Sequence, residues 1–350
     1  MRQVGLKGAL AAAALAVAVV AYARPSPPLP RPAPQGRGPV DAVALNRSCE
    51  GCHAEIAAEW RGSLHQRSWD DAVFQAALAL EPIAFCRGCH APEADPALET
   101  ASPRHHLGVS CVTCHVQNGH VLGARRLADR TAPHELLVDA RLAGVDACAG
   151  CHQFEFPKPQ QAPMQGTLSE HRASPFAGKS CQACHMPSVS SKDGTSHKSH
   201  RFRVAGDSAL LRAAVSATAW RAGDRAINVS LSATNVGHAV PTGDMFRRLE
   251  VRAHAGGAVA KPVVLERRFL VTRGPDGVER RQTGDDRLPA SGEAKTVWLP
   301  FGESIGQRTI EWQVVYQRMD PVLAASFGLD PGADEIVIAQ GELPTDEVKP

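Results

Sequence analysis

The stretch CEGCH at residues 49–53 is the first of five copies of one pattern, two cysteines separated by two residues and followed by histidine. The others are CRGCH at 86–90, CVTCH at 111–115, CAGCH at 148–152 and CQACH at 181–185. All ten cysteines of the 350-residue chain fall inside a copy. The organisation of the first half of the chain must therefore follow from this five-residue word.

The word C-x-x-C-H is the attachment sequence of c-type haem, whose two vinyl groups form thioethers with the thiols while the histidine binds the iron. A zinc ribbon would join two C-x2-C pairs and has no need of a histidine after each. A disulfide would close a strained two-residue loop five times. We therefore predict five covalently attached haem c groups. The attachment residues are Cys49, Cys52, Cys86, Cys89, Cys111, Cys114, Cys148, Cys151, Cys181 and Cys184, and the proximal ligands are His53, His90, His115, His152 and His185.

The fifteen histidines exceed the five proximal ligands by ten, enough to fill the sixth position of every iron. Bis-histidine haems are closed and suited to electron transfer, whereas an open iron favours small-molecule chemistry. His65 is the strongest candidate, because residues 49–68 have the apolar spacing of a helix that carries His65 too far to reach its own haem. The other predicted distal ligands are His120, His134 and His200, with an exposed loop histidine as the alternative reading of His120 and His197 as the alternative to His200.

The opening CEGCHAEIAAEWRGSLH at 49–65 resembles the C-x-x-C-H…W-x-x-S-x-H segment of the cytochrome c-552/4 family of multihaem cytochromes. Two further segments, 108–120 and 181–202, are similar to parts of such proteins. The resemblance covers about residues 46–203. It implies a chain of stacked haems and a distal-ligand role for His65.

The N-terminus has the pattern of a secretory signal, with Arg2 and Lys7 before an apolar run and AYA at 21–23 as a cleavage site. An uncleaved signal acting as a membrane tether is the alternative. Residues 24–40 are rich in proline and are expected to form an extended linker. We therefore predict export to the periplasm or the outer side of the envelope, where haem attachment to paired thiols can take place.

Cysteine is absent after the fifth word, and the pattern changes to alternating, β-branched runs. We predict strands at 226–233, 248–255, 259–271, 294–299, 309–316 and 335–339, with a short helix at 321–327. The loop TNVGHAVPTG at 234–243 resembles one seen in multihaem proteins with a β-domain, which implies that His238 is a distal ligand. The predicted fold is α+β, with a loop-rich, mostly helical pentahaem domain at 41–203 and an antiparallel β-sandwich at 204–350.

These features predict an electron-transfer pentahaem cytochrome of an extracytoplasmic respiratory chain rather than an enzyme. Its partners would be other cytochromes or quinol-oxidising membrane complexes, and a net charge of +2 without a basic patch disfavours nucleic acid. The alternative is a reductase with one open haem acting on a small nitrogen compound. Against it, the chain has no C-x-x-C-K word, and its only tyrosine beyond the predicted signal is Tyr316, far from the haem words.

Overall fold

The computed structural model describes residues 41–94, 102–125, 134–156, 163–202, 207–274 and 277–345. All of them belong to one compact unit. The predicted signal peptide, the predicted linker and the predicted domain boundary at 203/204 lie outside the described residues. No helix within these ranges has the length and apolar character needed to cross a bilayer.

Short helices carry the five words in residues 41–202, which we call the haem-word region. A helix suits the word because positions i, i+3 and i+4 lie on one face, so both thiols and the imidazole can contact the same group. In the first word the helix ends at Cys52 and His53 follows as its cap. The described helices of this region, with or without a word, are α1 (Ala42–Cys52), α2 (Ala54–Arg61), α3 (Ala72–Leu80), α4 (Ala84–His90), α5 (Cys111–His115), α6 (Asp146–His152), α7 (Thr167–Arg172) and α8 (Cys181–His185), with 3-10 turns at His105–Leu107 and Ala140–Ala143.

The continuous helix predicted over residues 49–68 is wrong. His53 has φ −105° and ψ 50°, which separates α1 from α2, and α2 ends at Arg61. Glycine at position 51 weakens the helix just before the break, because glycine loses more backbone freedom there than other residues. His65 therefore lies in the turns after α2 and not on its surface.

Small sheets follow three of the words, so the haem-word region is less purely helical than predicted. One antiparallel hairpin follows the third word and gains a parallel strand, and two-stranded hairpins follow the fourth and fifth words. These strands are β1 (Val116–Gln117), β2 (His120–Gly123), β3 (Leu136–Val138), β4 (Gln153–Glu155), β5 (Pro163–Gly166), β6 (Ser188–Ser190) and β7 (Ser196–Lys198).

Antiparallel strands dominate residues 207–345, which we call the β-rich region. It contains α9 (Ser208–Ala214), β8 (Val215–Arg221), β9 (Ala226–Ala233), β10 (Arg248–Ala255), β11 (Ala258–Val259), β12 (Val263–Gly274), β13 (Gly277–Asp285), β14 (Lys295–Pro300), β15 (Ile310–Gln317), α10 (Pro321–Ser326) and β16 (Ile336–Leu343). One sheet has the order β13-β12-β10-β15-β16, with β11 paired to β10, and the second has the order β14-β9-β8. The mixed α+β fold with antiparallel sheets agrees with the prediction.

A continuous apolar core lies between these two sheets. Ile227 and Leu231 of β9 and Leu299 of β14 belong to the same buried cluster as Leu249 of β10 and Ile310 of β15. Alternating residues of each strand point inward, which is how two packed antiparallel sheets build a sandwich core. Buried clusters in the haem-word region are much smaller.

Ion pairs join the β-rich region to the haem-word region. Arg318 donates to both carboxylate oxygens of Asp71 at 2.9 and 2.7 Å, and Arg280 pairs with Glu81. A bidentate guanidinium–carboxylate contact fixes direction as well as distance. These contacts hold the β-rich region against both ends of α3 in the haem-word region.

Candidate haem-binding site

None of the ten cysteines forms a disulfide, and each pair lies within or at the end of a short helix. No group of three or more His, Cys, Asp and Glu side chains in the described part of the chain is arranged to hold a bare metal ion. Haem has a different requirement, because the porphyrin supplies four nitrogens and the protein needs to supply only axial ligands.

Thiols from different words approach one another. Cys89 is within hydrogen-bonding contact of Cys151, and Cys148 is within the same kind of contact of Cys181. If each thiol is the attachment point of a vinyl group, as the words predict, porphyrin edges joined to these neighbouring words would also be close.

Three proximal histidines each face a second histidine. The ring centroids are 6.3 Å apart for His65 and His152, 6.2 Å for His115 and His200, and 6.3 Å for His185 and His238. A metal bonded to both imidazoles at about 2 Å, the usual metal–imidazole distance in proteins, separates their centroids by about 6 Å. The space between each pair therefore fits one axially ligated iron.

Backbone carbonyls orient several of these rings. The Nδ1 atoms of His115, His200 and His238 lie 2.9, 2.7 and 3.0 Å from the carbonyl oxygens of Leu122, Lys198 and Ala239. The corresponding atom of His90 lies 2.7 Å from the carbonyl oxygen of Ser68. A carbonyl accepts only from a protonated Nδ1, so Nε2 keeps its lone pair for a metal, as is usual for metal-binding histidine.

Burial favours the neutral form of four of the paired imidazoles. It lowers the pKa of His65 to about 3 and that of His152 to about 4, with nearby histidines adding to the effect at His65. Burial also lowers the pKa of His200 and of His238. Neutral imidazole is the form that binds a metal, so the environment favours ligation at neutral pH.

His200, and not His197, faces a proximal histidine. Both ring nitrogens of His197 already have partners, the hydroxyl of Ser191 at 2.8 Å and the carboxylate of Glu59 at 3.3 Å. Glu59 also accepts from the backbone N–H of His200 at 2.8 Å. Glu59 of α2 thus contacts both ends of the segment from His197 to His200.

The other predicted ligands are not paired by the structure. His53 and His120 are exposed and make no ring contact within the described ranges, and His134 is exposed beside the carbonyl of Glu135. The ring of His90 stacks on Phe74 at 3.6 Å instead of facing a histidine. Two of the five proximal histidines therefore have no opposing imidazole in the described structure.

Sequence reasoning missed the groups that support these ligands. Glu170 and Arg287 contact the loop that carries His238, and the carbonyls that orient the rings are backbone atoms. No spacing or composition marks a carbonyl for this role. The loop residue Thr242, which contacts Glu170, lies within the stretch singled out around His238.

The repeated attachment words, the paired thiols and the facing imidazoles are features of multihaem c-type cytochromes. Residues 48–116, which include the first three words, match the family model described as cytochrome c554 and c-prime. The chain therefore resembles the multihaem c-type cytochromes of the c552/c554 family.

One solved structure is similar over most of the chain, the crystal structure of a penta-heme cytochrome c552 from Thermochromatium tepidum. The TM-score is 0.67 at 21% identity, and the match covers 85% of this chain and 98% of that one. At this identity the likeness shows a shared fold. No curated protein matches the chain.

Proposed function

We propose that this protein is a pentahaem electron carrier whose haems are mainly bis-histidine. The observation that supports it most strongly is the set of three facing histidine pairs, each spaced for one iron. Haem c supplies a one-electron redox centre, and two strong axial ligands close the iron to other molecules. The chain's own contribution is to attach each group, orient its axial imidazoles and bury them away from water.

The electrostatic influence of one thiol on another supports an order for the relay. Charge on Cys49 would raise the pKa of Cys111, and charge on Cys114 would raise the pKa of Cys148 and of Cys151, which is consistent with the first word lying near the third and the third near the fourth. The contacts of Cys89 with Cys151 and of Cys148 with Cys181 add the second and fifth words to the fourth. The fourth word is then a junction with three branches. Consistent with this, protonation of His90, His185 or His200, as well as of His152, would lower the pKa of His65.

The remaining parts of the proposal rest on the sequence. His120 and His134 remain the proposed sixth ligands of the irons bound by His53 and His90. The chain divides into a pentahaem domain at 41–203 and a β-sandwich domain at 204–350. The protein is exported and acts in an extracytoplasmic respiratory chain, where it exchanges electrons with other cytochromes or with quinol-oxidising membrane complexes.

The second candidate is a reductase in which the iron bound by His90 is open. It is favoured by the absence of a histidine opposite His90 and by the charges of Asp244, Asp71 and Arg247 that act on that imidazole. Charged groups beside an open iron could bind a small polar molecule such as a nitrogen oxide. The closed relay remains the preferred proposal, because the surplus histidines can complete every iron.

Low-temperature EPR of the oxidised holoprotein separates the two candidates. The relay predicts low-spin ferric signals for five haems and no change when nitrite or cyanide is added. A high-spin signal equivalent to one haem that responds to these ligands would contradict the closed relay and support the reductase. Mass spectrometry of the same sample checks that five haems are attached.

A further inference from the structure

His238 lies on the loop between β9 and β10, where a backbone bridge between Val240 and Leu288 holds the chain two residues further on. Its Nδ1 lies 3.0 Å from the carbonyl oxygen of the next residue, Ala239. The orientation of the ring therefore depends on where the backbone of Ala239 lies. An axial ligand must be held to within about 0.5 Å, and a loop achieves this only when neighbouring groups support it.

Glu170 of α7 supplies that support on the C-terminal side of His238. Its Oε2 accepts a hydrogen bond from the backbone N–H of Ala239 at 3.2 Å and another from the hydroxyl of Thr242 at 2.6 Å. The residue that orients the ring of His238 is thus itself bound to the haem-word region. Hydrogen bonds to a charged acceptor are stronger than those to a neutral one.

The second oxygen of the same carboxylate is neutralised by an arginine of the β-rich region. Arg287 lies 2.8 Å from Glu170 Oε1, and its guanidinium also donates to the carbonyl of Pro241 at 3.0 Å. The two side chains are only 7% and 15% exposed, so water screens the pair weakly. Asp285 pairs with the other end of Arg287 at 2.7 Å and holds it in place.

His171, the residue after Glu170, packs against Gly237, which precedes His238. A Cβ atom at Gly237 would lie 3.1 Å from the ring of His171 and 3.3 Å from Phe176 Cβ. Only glycine allows this close approach without displacing a neighbour. Two consecutive residues of α7 therefore contact the loop on both sides of His238.

We propose that Glu170 is a positioning residue for the axial ligand His238 and acts through the backbone of Ala239 and the hydroxyl of Thr242. This inference rests on the proposed ligation of the His185 iron by His238. Groups that hold a metal-binding histidine tune the metal as well as the geometry. Glu170 thereby sets the coordination and the redox potential of that one haem.

The test uses the full-length holoprotein with all haems attached. Glu170→Ala removes the carboxylate that accepts from the N–H of Ala239 and from the hydroxyl of Thr242, and it leaves Arg287 with Asp285 as its remaining carboxylate partner. One haem in five should then become high-spin and bind carbon monoxide when reduced. Glu170→Gln keeps an oxygen for the two loop donors but loses the charge. It should retain five low-spin haems and shift the midpoint potential of one.

Glu81→Ala is the matched control, because it also removes a carboxylate that pairs with an arginine of the β-rich region but does not touch the loop. It should leave the His185 haem unchanged. Unaltered spectra and potentials in both Glu170 variants would overturn the inference. His238→Ala separates this outcome from failure of the proposed ligation: if it creates no open haem, the ligand assignment is wrong, and if it does while the Glu170 variants change nothing, only the role of Glu170 is wrong.

Discussion

The two halves of this molecule bury apolar surface in different ways. In the β-rich region 21 described residues from both sheets form one buried apolar cluster. In the haem-word region the two buried clusters contain four residues each, the first around Leu107 and Val112, the second around Trp69 and Leu78. Side chains alone thus provide a core for the second half. In the first half the attached porphyrins must provide most of it, since burial of any apolar surface is favourable.

The largest expected effect follows from removing the haem at the proposed junction. Cys148→Ser with Cys151→Ser should cost one haem by mass and leave the haem-word region without its central apolar group. Limited proteolysis should then degrade residues 41–202 while a fragment close to 207–345 persists.

The same double substitution at Cys49 and Cys52 is the matched control, because the first word lies at the end of the proposed relay. It should also cost one haem but leave the remaining words protected from protease. Equal degradation of residues 41–202 in the two variants would contradict the proposed junction at the fourth word. Resistance of these residues to protease in the variant at Cys148 and Cys151 would contradict the idea that porphyrin forms this core.

A smaller effect is expected from a cavity in the side-chain core. Leu249 is fully buried on β10, between β12 and β15. Leu249→Ala should lower the free energy of unfolding of the β-rich region by about 2–5 kcal/mol. Val259→Ala, at a site 73% exposed, should change it by less than about 0.5 kcal/mol. Chemical denaturation followed by far-ultraviolet circular dichroism measures both, and similar losses would mean that this core does not stabilise the fold.

The smallest effect concerns the contact between the two regions. Burial acts to raise the pKa of Asp71, but hydrogen bonds from Arg318 outweigh it and hold that pKa below its usual value. Stability from this pair is therefore present above the ordinary carboxylate pKa and lost as the pH falls through the lowered value. Asp71→Asn should cost about 1–3 kcal/mol at neutral pH and little in acid.

Thermal melts from neutral to acidic pH test this prediction. Asp334, 3.7 Å from Arg318 and 44% exposed on its side chain, provides the control Asp334→Asn, which should have little effect. A loss that stays constant with pH would show that the charge of Asp71 does not contribute.

Features that depend on neighbours in sequence could be predicted well. The bounds of β9 and β10 match the predicted strands, because apolar residues alternate there and turn residues flank them. Strand β13 was missed, since its residues are largely charged and its register comes from pairing with β12. Hydrogen bonds from a neighbouring strand outweigh low intrinsic strand propensity.

The residues of the candidate site also divide into those that local sequence predicts and those that it does not. The proximal histidines follow from the word itself, whereas a distal ligand depends on tertiary structure. His65 was selected through a helix that ends at Arg61, and the turns after α2 bring it opposite His152. His200 and His238 lie opposite His115 and His185, while His120 and His134 lie opposite no histidine in the described residues, and their ligand roles stay predictions. Long-range placement of this kind leaves no local pattern in the sequence.

A crystal structure of the holoprotein with anomalous diffraction at the iron edge tests the central claim most directly. The account predicts five iron peaks, three of them within bonding distance of both Nε2 atoms in the pairs His65–His152, His115–His200 and His185–His238. An iron on His152, His115 or His185 with a different sixth ligand, or with none, would contradict it.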